Sequence, residues 1–308
     1  MQQVTVRVPA STSNLGPGLD CLGIAVRLYN DATVIRGAKS RPQAIAGEAA
    51  DLFFRHARCA SFSFSVSITG NIPRSRGLGS SVTLRLGILH ALNALTGNRL
   101  DRLSIFQLCA QLEGHPDNAA PAVFGGFAVV HSSMSALLLG SVRCADRTLQ
   151  RGVPTFQRFE VSQRLYFVLL IPELEIKTSL ARQILPSRIS RTAAVENCAN
   201  ACAITAAFAS RNYEKLRGAF GDQLHQPFRT KLIPFLPRVI AAAEKAGALG
   251  AFLSGSGSTI CAITLQDRDR IAAAMKRAAG STSSRTIIVT ADNRGARFVR
   301  SPITSHSR

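Results

Sequence analysis

The chain has 308 residues, 46% of them apolar, and 37 Lys plus Arg against 18 Asp plus Glu, a formal charge of +19. That length builds one large or two medium domains with a substantial core. No apolar run reaches the ~18 residues of a membrane span, and seven cysteines, odd in number and without a Cys-x-x-Cys pair, do not form a disulfide framework.

The basic balance raises nucleic-acid binding as a function class. The positive charges are spread along the chain, however, and there is no zinc-finger spacing, helix-turn-helix or aromatic RNA-binding signature. No specific nucleic-acid partner is expected, only nonspecific adhesion to polyanions at low salt.

Val4, Val6 and Val8 alternate directly after Met1, leaving no room for a signal sequence, so the expectation is a reducing, cytoplasmic protein with no membrane partner. Residues 4 to 35 read as strands around the loop Asn14 to Asp20, where Gly16-Pro17-Gly18 also fits an ordinary turn. Residues 36 to 60 have poor periodicity and read as a variable excursion. Phe62, Phe64, Val66 and Ile68 then alternate with Ser61, Ser63, Ser65 and Ser67, the pattern of a half-buried strand.

Ile72-Pro73-Arg74-Ser75-Arg76-Gly77-Leu78-Gly79-Ser80-Ser81 follows, and Val82, Leu86, Leu89 and Leu92 recur behind it at helical spacing. A helix therefore begins at the two serines, directing unpaired N–H groups and the positive dipole end over a glycine turn that suits phosphate. Arg74 and Arg76 add charge, and Ser80 and Ser81 offer hydroxyls to phosphate or magnesium. This is neither a Walker loop nor a dinucleotide fingerprint. A serine-capped helix after a glycine turn is the plainer interpretation of the same residues.

Asp101 caps the next helix, whose Ile105, Cys109 and Leu112 share a face and bring Glu113 to its end. From Ser132 to Phe159 hydrophobic order weakens around Arg147, Arg151, Gly152, Pro154 and Arg158, which reads as the approach to a second domain. Residues 165 to 171 read as a buried strand, 196 to 211 and 232 to 245 as helices, and 259 to 265 as a strand. A helix over 271 to 279, a strand over 285 to 290 and a frayed polar tail complete the chain. Cys198 and Cys202, one helical turn apart, read as a packed helix face rather than a metal site.

Three segments in this order, 7 to 20, 73 to 83 and 250 to 258, resemble the motifs of the galactokinase, homoserine kinase, mevalonate kinase and phosphomevalonate kinase (GHMP) superfamily. Leu112 to Gly126, Thr178-Ser179-Leu180-Ala181-Arg182 with Leu185-Pro186, and Asp222 to Arg229 narrow the resemblance to the homoserine kinase family, over about residues 4 to 265.

The resemblance implies an α+β, two-domain GHMP kinase fold: a ribosomal-protein-S5-domain-2-like N-terminal domain (1–155, with the phosphate loop) and a ferredoxin-like C-terminal domain (156–308). The implied activity is phosphorylation of L-homoserine by ATP and Mg2+, on the way to threonine, by a homodimer. A threonine- or mevalonate-type kinase, or an inactive nucleotide-binding relative, is the alternative.

Under this resemblance Pro73, Arg74, Ser75, Arg76, Gly77, Leu78, Gly79, Ser80, Ser81, Val82 and Thr83 would cradle ATP, and Ser80 or Ser81 with Glu113 would hold magnesium. A solvated helix-end carboxylate is the plainer interpretation of Glu113. Asp20 would receive the substrate ammonium, Arg182 and Arg229 its carboxylate, and Asn14 would orient its hydroxyl, with His115 and Thr178 lining the pocket. Asp117 and Asn118 would support these groups, and Gly255 and Gly257 would let their loop pack on the phosphate loop. Arg85 and Ser179 depart from the family pattern, which carries small residues and commonly lysine there.

Overall fold

The computed structural model describes residues 2–37, 44–131 and 154–299. Arg147, Arg151, Gly152 and the tail from residue 300 lie outside the described residues. In chain order the elements are β1 (Gln3–Asn14), β2 (Gly18–Arg36), α1 (Ala44–Ala57), β3 (Phe64–Gly70), α2 (Ser80–Leu95), α3 (Arg102–Glu113), α4 (Ala119–Phe124), β4 (Phe127–His131) and β5 (Thr155–Phe159). Then come β6 (Tyr166–Pro172), α5 (Thr178–Gln183), α6 (Arg191–Ala209), α7 (Gln226–Arg229), α8 (Leu236–Lys245), β7 (Gly250–Leu253), β8 (Ile260–Thr264), α9 (Arg268–Ala278), β9 (Ser284–Thr290) and β10 (Arg297–Phe298).

The first sheet runs β10-β1-β2-β4-β5, with β3 on the far half of the long β2. The second runs β7-β8-β6-β9, all antiparallel, the ferredoxin-like order. The register shift between Pro9 and Ala10 divides the first sheet's side chains between two cores, and period-2 alternation does so in the second sheet. Val6, Val8 and Val34 point into a core with α1, α2, α3 and α4, whereas Ala10, Ile24, Val26 and Leu28 point the other way. On that second side they meet Phe167, Leu169, Ile171, Cys261 and Ile263 of the second sheet. Val168, Leu170, Ile260 and Ala262 face a third core with α8 and α9. Strand β6 is apolar on both faces because both are buried.

The α+β expectation holds, with local differences. Residues 44 to 57 form α1 instead of an irregular excursion, because Ala46, Ala49, Ala50, Phe53 and Ala57 make a buried stripe whose small alanines weaken the pattern. The expected cut at 155/156 falls inside β5, which pairs with β4, and β10 returns the C-terminal chain to the first sheet. Pro234 and Pro237 delay α8 to Leu236, and Ser190 caps α6, which starts at Arg191, five residues before Glu196. Cys198 and Cys202 are exposed rather than packed, since α6 buries Asn197, Ile204, Ala207 and Phe208 instead.

Candidate active site

The phosphate loop leaves β3 and reaches α2 through Gly77 and Gly79, both left-handed at φ +73° and +68°. A Cβ on Gly77 would lie 2.1 Å from the Ser254 carbonyl oxygen, and one on Gly79 would lie 2.5 Å from Ser11 Oγ. Only glycine accommodates both the backbone angle and the contact. Ser254 Oγ donates to Gly77 O at 2.6 Å and Thr259 N to Arg76 O at 3.1 Å, so the loop that carries Gly255 and Gly257 packs against the phosphate loop.

Among the described residues no side chain caps α2, and Ser80, Ser81 and Val82 line the cleft at its start. Three amide N–H groups and the positive dipole end therefore open onto that space, since the first intrahelical bond is Thr83 N to Gly79 O at 2.9 Å. Asp101 accepts from Ser104 N at 2.8 Å at the start of α3, which ends on Glu113 beside Ser81. Ser81 Oγ donates to Glu113 Oε2 at 2.9 Å. Ser80 Oγ makes no hydrogen bond among the described residues. A hydroxyl and a carboxylate oxygen side by side at a helix N-terminus are the hard donor set that magnesium takes together with phosphate and water. The second Glu113 oxygen accepts from Arg85 Nη1 at 2.6 Å.

Across the cleft, Asn14 at the end of β1 and Asp20 near the start of β2 adopt left-handed backbone at φ 71° and 62°. Asn14 Oδ1 accepts from Asp20 N at 3.1 Å and Asn14 Nδ2 donates to Gly255 O at 3.0 Å, so Asn14 shapes the turn as well as lining the cleft. Arg182 on α5 donates to both Asp20 oxygens, at 2.6 and 3.0 Å. The Asp20 carboxylate holds the Arg182 pKa above the usual value against a smaller desolvation effect.

Arg229 is almost wholly buried at the end of α7. Its Nε donates to Ala181 O at 3.1 Å and its Nη1 to Gly255 O at 2.9 Å and His225 Nδ1 at 3.1 Å. Nη2 makes no hydrogen bond among the described residues, and Arg229 lines the cleft. Burial, then the nearby Arg182 charge, lowers its pKa to about 10. An anion between the two arginines would relieve that repulsion. His225 Nε2 donates to Gly16 O at 2.8 Å, which leaves Nδ1 as the acceptor for Arg229. Burial holds the His225 pKa at about 4, so the ring is neutral. Asp222 accepts from the backbone N of Leu224, His225 and Gln226 at 2.8, 3.1 and 2.6 Å and fixes the start of α7.

His115 Nδ1 lies 2.9 Å from Asp117 Oδ1. Burial is the largest single influence and opposes charge on both groups, but the hydrogen bond and the surrounding charges together outweigh it, raising the His115 pKa and lowering that of Asp117. Asn118 donates to Ser13 Oγ and accepts from Ser11 Oγ, both at 2.8 Å, tying this segment to β1. Thr178 Oγ1 lies 3.3 Å from Ser256 Oγ on the exposed rim.

One cleft thus collects Asn14, Asp20, Gly77, Gly79, Ser80, Ser81, Val82, Glu113, His115, Thr178, Arg182 and Arg229. Other residues of the expected phosphate loop do not face it. Leu78 packs in the core, and Thr83 Oγ1 is taken by Ser80 O and Asn30 Nδ2 at 2.9 and 3.0 Å. Arg76 turns away to Pro172 O at 2.9 Å and Glu175 at 3.4 Å, bridging the two sheets, because β6 ends beside it. Pro73, Arg74 and Ser75 do not line the cleft. His225 and Asp222, which set Arg229, carry no assigned role in the sequence reading. Their signal is the stretch 222 to 229, in which they stand beside the arginine they set. A larger hollow of about 500 Å³ near Arg164, Arg211 and Glu214 holds none of the motif residues.

The chain matches the family models for the GHMP kinases N terminal domain over residues 44–126 and the GHMP kinases C terminal over residues 204–281. It is 34% identical to homoserine kinase of Caldicellulosiruptor bescii, covering 99% of this chain and 100% of that protein. To homoserine kinase of Microchaete diplosiphon it is 34% identical, covering 96% and 94%. Its fold is similar to the crystal structure of homoserine kinase from Cytophaga hutchinsonii, with a TM-score of 0.82 at 24% identity over 97% of this chain and 98% of that one.

Proposed function

The chain belongs to the homoserine kinase family of the GHMP kinases, and on that premise we propose that it transfers the terminal phosphoryl group of ATP to the hydroxyl of L-homoserine, giving O-phospho-L-homoserine for threonine synthesis. The observation that carries this reading is one cleft holding an uncapped helix N-terminus on one wall and the Asp20–Arg182 pair with Arg229 on the other. The first wall suits a chain of phosphates. The second suits a zwitterion, whose ammonium and carboxylate can exchange for the charges of the pair.

Amide N–H groups of Ser80 to Val82 bind phosphate oxygens, and Gly77 and Gly79 let the backbone approach them. Ser81 and Glu113 would hold Mg2+, which when bound neutralises phosphate charge. Asp20 takes the ammonium of the amino acid, while Arg182 and Arg229 Nη2 take its carboxylate with the planar fork suited to it. Asn14 orients the hydroxyl toward the phosphate, and His115 and Thr178 line the pocket beside it. Catalysis then rests on alignment and exclusion of water, with the hydroxyl proton passing to phosphate oxygen. Asp117 is committed to His115 and Asn118 to Ser13 and Ser11, so both support the site.

The decisive experiment incubates the purified protein with ATP and Mg2+ and each of L-homoserine, L-threonine, mevalonate and galactose, following ADP release and the phosphorylated product. Turnover confined to mevalonate or galactose overturns the reading. No turnover with any acceptor would favour an inactive nucleotide-binding relative.

The same reading places the enzyme in the cytoplasm, in keeping with free thiols at Cys21, Cys59, Cys109, Cys198, Cys202 and Cys261. Among the described residues no helix is long and apolar enough to cross a membrane. A homodimer is supported by an exposed stripe on α6, Val195, Ala199, Cys202 and Ala206 at helical spacing. Light scattering of the purified protein tests it. No specific nucleic-acid partner is proposed.

A further inference from the structure

Arg85 is a charge that the proposed reaction does not require. It stands one helical turn after Ser81 on α2, 14% exposed, with Nη1 2.6 Å from Glu113 Oε1 and Nη2 a loose 3.4 Å from Glu48 Oε2. Glu113 is 7% exposed and Glu48 62%. Arg85 Nε is buried without a hydrogen-bond partner among the described residues. A guanidinium kept only as a brace would have its buried donors satisfied, because an unpaired buried N–H is costly. Among the described residues the one close partner of Arg85 is the carboxylate that Ser81 also holds.

Resting on the assignment of Ser81 and Glu113 to the metal, we propose that Arg85 is a resident counter-charge for Glu113. It keeps the carboxylate compensated and aligned on Ser81 when no divalent cation is bound. A cation arriving alone then meets a carboxylate already neutralised and a like charge beside it. One arriving with nucleotide meets phosphate oxygens whose negative charge outweighs the guanidinium. Arg85 thereby makes metal uptake depend on the nucleotide. Even at the dielectric constant of water, a unit charge repelling a divalent ion across about 6 Å changes affinity about tenfold.

The test measures Mn2+ binding by electron paramagnetic resonance, with and without the nonhydrolysable ATP analogue AMPPNP, in the wild type and in Arg85→Met, Arg85→Gln and Arg85→Lys. Arg85→Met and Arg85→Gln should bind Mn2+ alone at least about tenfold more tightly than the wild type. Arg85→Lys should stay near the wild type, and AMPPNP should tighten Mn2+ binding more in the wild type than in the uncharged variants. Melting adds a second readout. Metal-free Arg85→Met should melt below the wild type, because Glu113 is left buried and unpaired, and Mn2+ should raise its melting point more. Uncharged variants that fold but bind Mn2+ no more tightly than the wild type would reduce Arg85 to a brace and overturn the inference. A wild type that binds no Mn2+ even with AMPPNP would instead remove the underlying metal assignment, and this inference with it.

Discussion

Arg182 donates two hydrogen bonds to Asp20, at 2.6 and 3.0 Å, across 162 residues of chain. The pair joins the start of β2 to the short helix α5. Both side chains are just over a third exposed, so solvent screens the pair and it adds little to stability. Its value lies in presenting one charge of each sign, side by side, to a zwitterion.

Asp20→Asn and Arg182→Met should each raise the homoserine KM about 10- to 100-fold, the loss of one charged hydrogen bond. The ATP KM should stay within about twofold and the unfolding free energy within about 1 kcal/mol. Steady-state kinetics with each substrate varied in turn, beside urea titrations, check this; an ATP KM that rises in parallel would place the pair in the nucleotide site.

Glu113→Gln should lower kcat by about 100-fold or more, a loss of the size seen when one charge-stabilising group is removed from a transition state. It also leaves Arg85 without its close partner, so stability should fall by about 1–3 kcal/mol while the fold persists. Rates at saturating Mg2+ and a circular dichroism melt check both parts. An undiminished rate would take Glu113 out of the mechanism.

Gly77→Ala should cost about 1–2 kcal/mol from its left-handed backbone alone, and more from the overlap with Ser254 O. Because the strained atom sits between the phosphate loop and the loop carrying Gly255, the ATP KM should rise more than the homoserine KM. Thermal melts and nucleotide binding by calorimetry measure the two effects.

Stability should fall as pH drops from about 6.5 toward 4. Burial chiefly, with Arg229 adding to it and Asp222 opposing it, holds the native His225 pKa at about 4 against an ordinary value of 6.5. Across that window the unfolded chain takes up a proton that the native ring refuses, so the contribution is present above pH 6.5 and lost as the pH falls through it. Gln at position 225 keeps a donor for Gly16 O but does not titrate. His225→Gln should therefore lose less stability than the wild type between pH 7 and 4.5 in urea titrations. Parallel losses would show that His225 titrates normally.

Much of the fold was legible because its signals are local. The doubly apolar β6, the serine-faced β3 and the capped α3 each announce themselves within a few residues. Helix α1 escaped because its buried stripe is mostly alanine. The returning strand β10 escaped because two residues carry no period. At the site, spacing alone groups Arg76 with the phosphates, yet the end of β6 draws it to Pro172 O and Glu175.

By itself the sequence determined that a helix starts at Ser80 behind a turn only glycine can make, since backbone sterics and unpaired amides depend on neighbours in the chain. It also carried the motifs that assign the family. Only the tertiary structure decided that Ser81 rather than Ser80 meets Glu113, that Asp20 answers Arg182, and that His225 aims Arg229. Those partners lie 32, 162 and 4 residues apart, and only the last is close enough for helical spacing to suggest it. Even there, the proton's place on Nε2 depends on Gly16 O, which the packing of the two sheets brings within 2.8 Å.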